Sequence, residues 1–162
     1  NSFRAIETGG IPFVAANNGT AMGGGLELCL TCHHRIVLNN SRIKLGFPEA
    51  KVGLLPGGGG TVKAPYLMGI QNGLTYLLQG KEARPQQALK VGLVDALAET
   101  QEEMITMAKE WIGANPKPVQ PWDNKKRRIP GGGLFTPNGV QMMAGAVGNV
   151  TKMTSILPRS IF

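Results

Sequence analysis

No stretch of this chain is long and apolar enough to cross a membrane as a helix, so no spanning segment is expected in its 162 residues. Cysteine is scarce: Cys29 and Cys32 form a single C-x-x-C, and no second pair exists to complete a structural zinc site. A dinucleotide fingerprint G-x-G-x-x-G is missing, because the patterns opened by Gly23, Gly57 and Gly131 each fail at a later glycine. The run Gly57–Gly60 continues as Thr61-Val62 and lacks the Gly-Lys-Ser/Thr ending of a phosphate loop. Acidic residues are few, 10 against 17 Lys and Arg, for a net charge of +7. Aromatics make up only 6% of the chain, and no RNA-binding aromatic motif accompanies the basic residues.

Glycine, in contrast, is abundant at 23 residues, and its excess falls around two glutamates. Glu27 stands in Asn18-Gly19-Thr20-Ala21-Met22-Gly23-Gly24-Gly25-Leu26-Glu27-Leu28. Glu49 stands in Leu45-Gly46-Phe47-Pro48-Glu49, which leads on to Gly53-Leu54-Leu55-Pro56-Gly57-Gly58-Gly59-Gly60-Thr61. The apolar run Phe13 to Ala16 reads as a buried strand, and Leu26 to Leu30 as the start of a helix. A strand, a glycine turn and a helix start leave unpaired amides where the helix dipole favours negative charge. A carbonyl held there can take on enolate character, and Glu27 lies one turn inside, within reach of a water or a carbon beside it. Each motif alone has a plainer meaning: Gly-x-x-Glu also describes a helix cap, and Glu49 after Pro48 also describes a solvated loop. The two motifs in order, one strand-length apart, point to chemistry.

From about Ile11 to Ile112 the chain resembles the C-terminal half of the crotonase fold, the enoyl-CoA hydratase/isomerase family. The resemblance runs through both glutamate motifs, Arg35-Ile36-Val37, Leu78-Gln79-Gly80-Lys81 and Ala88-Leu89-Lys90-Val91-Gly92-Leu93-Val94-Asp95. It implies an α/β, ClpP/crotonase-like fold and hydration of a trans-2-enoyl-CoA to a 3-hydroxyacyl-CoA. Glu27 would be the base that activates water, and Glu49 the acid that protonates the α-carbon. The Gly24 N–H would be one oxyanion donor, with Gly23, Gly25, Pro48 and Gly57 lining the substrate. No metal is implied; coenzyme A enters as the substrate thioester. Members that only isomerise double bonds commonly lack the first glutamate, so the presence of both favours the hydratase. The segment Leu28 to Pro48 is longer than usual by a couple of residues, with the extra length assigned to a turn around Asn39-Asn40-Ser41.

A second resemblance lies downstream. Pro121-Trp122-Asp123, Ile129-Pro130-Gly131-Gly132-Gly133 and Thr136-Pro137 look like the linker of multifunctional fatty-acid oxidation proteins. There it leads to a 3-hydroxyacyl-CoA dehydrogenase domain, which implies NAD for the parent protein but not for these residues. Residues 1–113 are thus assigned to the hydratase and 114–162 to a basic, Pro/Gly-rich linker. The chain opens at Asn1 without an initiator Met, and it is expected to be a fragment, inactive by itself. A homo-oligomer or multienzyme complex is implied for the parent, in a bacterial cytoplasm or, if eukaryotic, the mitochondrial matrix.

Charge divides along the same line: residues 1–115 carry ten Lys/Arg against nine Asp/Glu, and residues 116–162 seven against one. Lys125-Lys126-Arg127-Arg128 dominates the tail and reads as a solvated linker rather than a nucleic-acid site. Cys29-Leu30-Thr31-Cys32-His33 spells the C-x-x-C-H of haem attachment, yet on a helix continued from Glu27 the cysteines become neighbours packed against core. Helices are expected at Gly60 to Met68, Ile70 to Gln79 and Gln86 to Val91, a strand at Leu93 to Leu97, and an amphipathic helix from Thr100 to Ile112 with a Thr100/Glu103 capping box. A further helix is expected over Gly139 to Ile156. Two other readings compete: another crotonase-fold acyl-CoA enzyme, an isomerase or dehydratase, and a non-enzymatic module whose basic tail binds a polyanion.

Overall fold

The computed structural model describes residues 2–133, 136–137, 139–141 and 144. In chain order the elements are α1 (Ser2–Thr8), β1 (Val14–Asn17), β2 (Ala21–Met22), α2 (Gly24–Thr31), β3 (His34–Leu38) and β4 (Leu45–Gly46). A 3-10 turn (Pro48–Val52) follows, then α3 (Gly60–Met68), α4 (Ile70–Gln79), β5 (Glu82–Ala83), α5 (Pro85–Lys90), β6 (Ala96–Ala98) and α6 (Gln101–Ala114). They build two three-stranded sheets, ordered β1-β3-β6 and β2-β4-β5. The first is parallel throughout; in the second, β2 and β4 are parallel and β5 runs against β4.

Strand β3 sits at the centre of the first sheet and shows why its sequence is apolar on both faces. Val37 enters the main core with Leu26, Leu30, Leu45, Phe47 and Tyr76. Ile36, on the opposite face, packs with Ala98, Met104 and Ala108 in a second cluster under α6. The same strand buries Arg35, at 3% exposure. Its guanidinium lies 2.6 Å from Asp95 Oδ2 and donates to Cys32 O, and Asp95 also accepts the Arg35 N–H at 2.8 Å. A buried cation is tolerable only with such partners, and this pair fixes where the chain re-enters the sheet.

That anchoring accounts for one difference from the sequence expectation. The final strand begins at Ala96 rather than Leu93. Leu93 and Val94 are apolar because they plug the main core on the turn after α5, where Leu93 N–H bonds to Ala88 O rather than to a strand. Helices α3 and α4 meet at Gly69 as expected, and α5 starts one residue early, at Pro85. Thr100 caps α6 by accepting from Glu103 N–H, while the Glu103 carboxylate reaches back one residue further than a capping box, to Glu99 N–H. The turn at Asn39 and Asn40 closes on itself, with Arg42 N–H bonded to Asn40 Oδ1. Helix α1 and the two-residue strands were not expected from the sequence. The helix expected over 139–156 lies largely outside the described residues.

Beyond α6 the described chain has no helix or strand through residue 133, yet it is docked. Gln120 is buried and donates to Thr31 O, Trp122 reaches Glu7, and Asp123 takes both guanidinium nitrogens of Arg4 at 3.0 and 3.1 Å. The basic run 125–128 follows on an exposed turn stabilised by Asn124.

Helix α6 is fastened to β3 through His34, whose ring stacks on Trp111 at 4.8 Å with planes 10° apart. Burial lowers the His34 pKa below 6.5, outweighing Asp95, 3.6 Å away, which raises it; Arg35 adds to the lowering. The unfolded chain therefore binds a proton that the folded one resists, so the His34 contribution is complete above pH 6.5 and is lost as pH falls below it. The urea midpoint should decline between pH 7.5 and 5.5, and His34→Phe, which keeps the stack but cannot titrate, should lose part of that decline. An identical pH profile in the two proteins would contradict this assignment.

Candidate functional site

Gly23 holds φ +54°, a conformation that L side chains rarely adopt, and it turns β2 into α2. Its N–H bonds to Gly46 O at 2.9 Å, and its carbonyl accepts the first intrahelical bond, from Glu27 N–H. The amides of Gly24, Gly25 and Leu26 precede that bond, so they form the open N-terminal end of α2. Gly24 and Gly25 are exposed, and a Cβ at either would meet nothing within 4 Å. This surface can admit a carbonyl oxygen to the helix N-terminus, where the dipole supports developing negative charge.

Glu27 is 3% exposed. Its Oε1 accepts the Gly60 N–H at 2.8 Å, which places the carboxylate at the N-terminus of α3. The glycine run closes around it: a Cβ on Gly58 would lie 2.8 Å from Glu27 Oε2, and one on Gly60 would lie 3.1 Å from Oε1 and 2.7 Å from Phe47. A buried carboxylate needs such a donor; a hydrogen bond to a charged group contributes about 1.5–3 kcal/mol.

Glu49 occupies the 3-10 turn after Pro48 and is half-buried rather than solvated. A Cβ on Gly23 would lie 2.7 Å from Glu49 Oε1, so this carboxylate abuts the residue that caps the Glu27 helix. Glu49 Oε2 is buried and has no hydrogen-bond partner among the described residues, an arrangement that leaves an acceptor for a bound molecule. Gly23, Gly24, Gly25, Glu27, Pro48 and Glu49 thus converge around the start of α2. Gly57 is exposed and lines a cavity of about 320 Å³ with Phe3, Lys63 and Trp122.

The residues missed in the sequence are Gly58 and Gly60, which hold Glu27, and the set Glu7, Lys63 and Trp122 behind them. The run of four glycines was a usable signal, since only unsubstituted backbone can approach a carboxylate this closely. The long-range pairing of Glu7 with Lys63 left no local signal. Cys29 and Cys32 are free, half-buried thiols, both pushed up in pKa by burial, and Cys29 packs against the main core. Among the described residues no group of three or more His, Cys, Asp or Glu could hold a metal ion.

A family model described as Enoyl-CoA hydratase/isomerase matches residues 1–125. The fatty acid oxidation complex subunit alpha of Idiomarina loihiensis is 46% identical over 119 residues, covering 74% of this chain and 17% of that protein. The subunit of the same name from Shewanella loihica is 54% identical over 93 residues, covering 57% of this chain and 13% of that protein. The chain therefore spans a small part of the length of the curated relatives it matches. Among solved structures, an enoyl-CoA hydratase from Bacillus anthracis superposes with a TM-score of 0.67 at 29% identity, over 93% of this chain and 58% of that one. DspI from Pseudomonas aeruginosa gives a TM-score of 0.64 at 34% identity, over 70% of this chain and 42% of that one.

Two glycine substitutions separate open from closed backbone. Gly60→Ala drives a methyl into Phe47 and Glu27 and should lower stability by about 1–3 kcal/mol. Gly25→Ala meets nothing and should be neutral or stabilising by up to about 1 kcal/mol. Urea midpoints check both, and equal effects would contradict the packing described.

Proposed function

Because the chain belongs to the enoyl-CoA hydratase/isomerase family and has its α/β crotonase fold, we propose that it carries the catalytic carboxylates of an enoyl-CoA hydratase of fatty-acid β-oxidation. The observation that carries this reading is the abutment of Glu49 on Gly23, the cap of the helix that bears Glu27. It brings a half-buried carboxyl group, with one oxygen unpartnered among the described residues, beside open amides and one turn from a second, buried carboxylate.

In this reading the thioester oxygen of a trans-2-enoyl-CoA accepts the Gly24 N–H at the start of α2. Gly23, Gly25 and Pro48 shape the surface on which the thioester lies, and Gly57 borders it from the glycine run. Glu27 takes a proton from water as its oxygen bonds to the β-carbon. The π electrons move toward the thioester, whose oxygen gains charge that the α2 amides stabilise. Glu49, acting in its acid form, then delivers a proton to the α-carbon, giving a 3-hydroxyacyl-CoA. The proton that Glu27 took from water returns through solvent to Glu49, so that one water is added across the double bond and both groups are reset. No cofactor enters these steps.

The names of the curated relatives support a larger parent protein. We assign residues 1–113 to the hydratase and 114–162 to a linker toward a 3-hydroxyacyl-CoA dehydrogenase domain that uses NAD. The parent acts in a homo-oligomer or multienzyme complex, in the cytoplasm of a bacterium, as befits relatives that are bacterial. Residues 115–125 lie within the family match and dock on α1 and α2, so the linker begins as part of the hydratase surface.

The test is performed on the full-length protein with crotonyl-CoA, following loss of the enoyl-thioester absorbance and, with NAD present, NADH formation. Glu27→Gln and Glu49→Gln should each lower kcat by about 10²–10⁴-fold with little change in KM. Near-normal turnover in either variant would remove that residue from the chemistry. Enoyl loss without NADH would sink the bifunctional parent and leave the hydratase.

A further inference from the structure

Behind the site lies a buried ammonium that the reaction does not use. Lys63, on the first turn of α3, is 6% exposed. Its Nζ donates to Thr31 Oγ1 at 2.7 Å and to Gly58 O at 3.3 Å, and lies 2.7 Å from Glu7 Oε1. The rings of Phe3 and Trp122 flank it, with centroids at 5.1 and 5.8 Å. One cation thus ties α1, the end of α2 and the glycine run together.

Both of its neutral partners adjoin Glu27. Thr31 Oγ1 donates to the Glu27 carbonyl at 2.8 Å, and Gly58 precedes by two residues the Gly60 N–H that holds Glu27 Oε1. A cavity of about 320 Å³ opens on Gly57, Gly58 and Gly59, and only part of the run is packed from that side: a Cβ on Gly58 would lie 2.7 Å from the Phe3 ring, whereas one on Gly57 would meet nothing within 4 Å. Glycines with space beside them have little side-chain packing to hold them, so the Lys63 hydrogen bond to Gly58 O adds to the Phe3 contact in fixing the run.

We propose that Lys63 is a positioning residue for Glu27, holding the glycine run and the C-terminal end of α2 at the spacing in which the Glu27 carboxylate is gripped. Glu7 and Trp122 serve by keeping the ammonium in place, which gives the docked segment 120–123 a route to the active site. A buried lysine without Glu7 would be costly, whereas the pair satisfies both charges. This inference rests on the hydratase reading for its kinetic consequence but not for its structural one.

The experiment uses the full-length protein and crotonyl-CoA. The double variant Lys63→Met with Glu7→Gln removes both charges, so no unpaired ion remains buried. It should lose about tenfold or more in kcat with KM within about twofold, while Lys63→Arg stays near wild type. Hydrogen exchange at the Gly60 amide reads the grip without activity, and should accelerate about tenfold in the double variant. If that variant does not fold, Thr31→Val, which keeps the shape of the buried side chain, carries the test and should show the same two signatures more weakly. Unchanged kcat together with unchanged Gly60 exchange, in whichever folded variant is read, would overturn the inference. A wild-type protein that fails to hydrate crotonyl-CoA would sink the hydratase reading instead, leaving the exchange measurement to decide for Lys63.

Discussion

The hydrogen bond from Gly60 N–H to Glu27 Oε1 is the contact on which the site depends. It resolves a conflict built into the sequence. Glu27 faces the core from a helix that also buries Leu26 and Leu30, so its carboxylate is withdrawn from water. Burial of an ion without a partner is prohibitive. The N-terminus of α3 supplies both a donor and a favourable dipole, and only a glycine-rich approach lets that terminus come close enough. The placement of α3, and of α4 packed on it, follows from the need to reach Glu27.

Two helix N-termini therefore divide the work. That of α2 is left open, with Gly24 and Gly25 exposed, and can receive a carbonyl oxygen. That of α3 is closed on a carboxylate of the protein itself. Gly23 links the two sides, since its positive φ sets the entry to α2 and its bare Cα admits Glu49. Position, rather than an unusual side chain, distinguishes the two glutamates: one is gripped by backbone and the other keeps a buried oxygen without a partner among the described residues.

Much of this was legible in the sequence where local pattern and tertiary need coincide. Helix α6 carried its own cap in Thr100, α3 and α4 were separated by Gly69, and β1 showed, within a residue, as a short apolar run. Sequence failed where the signal was too short or too distant. Strands β2, β4 and β5 have two residues each, too few for alternation to appear. Helix α1 has seven residues and no acidic residue in its first turn, and its meaning lies in Glu7, whose partner Lys63 is far along the chain. Leu93 and Val94 read as strand because core plugs and strand residues share a composition. The glutamates stood out by their glycine context, while the choice of Gly58 and Gly60 over Gly57 as the residues around Glu27 required knowing which way the loop turns.

The most direct measurement is a crystal structure of the full-length protein with a 3-hydroxyacyl-CoA bound. The account predicts the thioester oxygen about 3 Å from Gly24 N, the 3-hydroxyl within reach of Glu27, and the α-carbon facing Glu49. A thioester bound away from the start of α2, or a pose in which neither carboxylate reaches the α- and β-carbons, would contradict it.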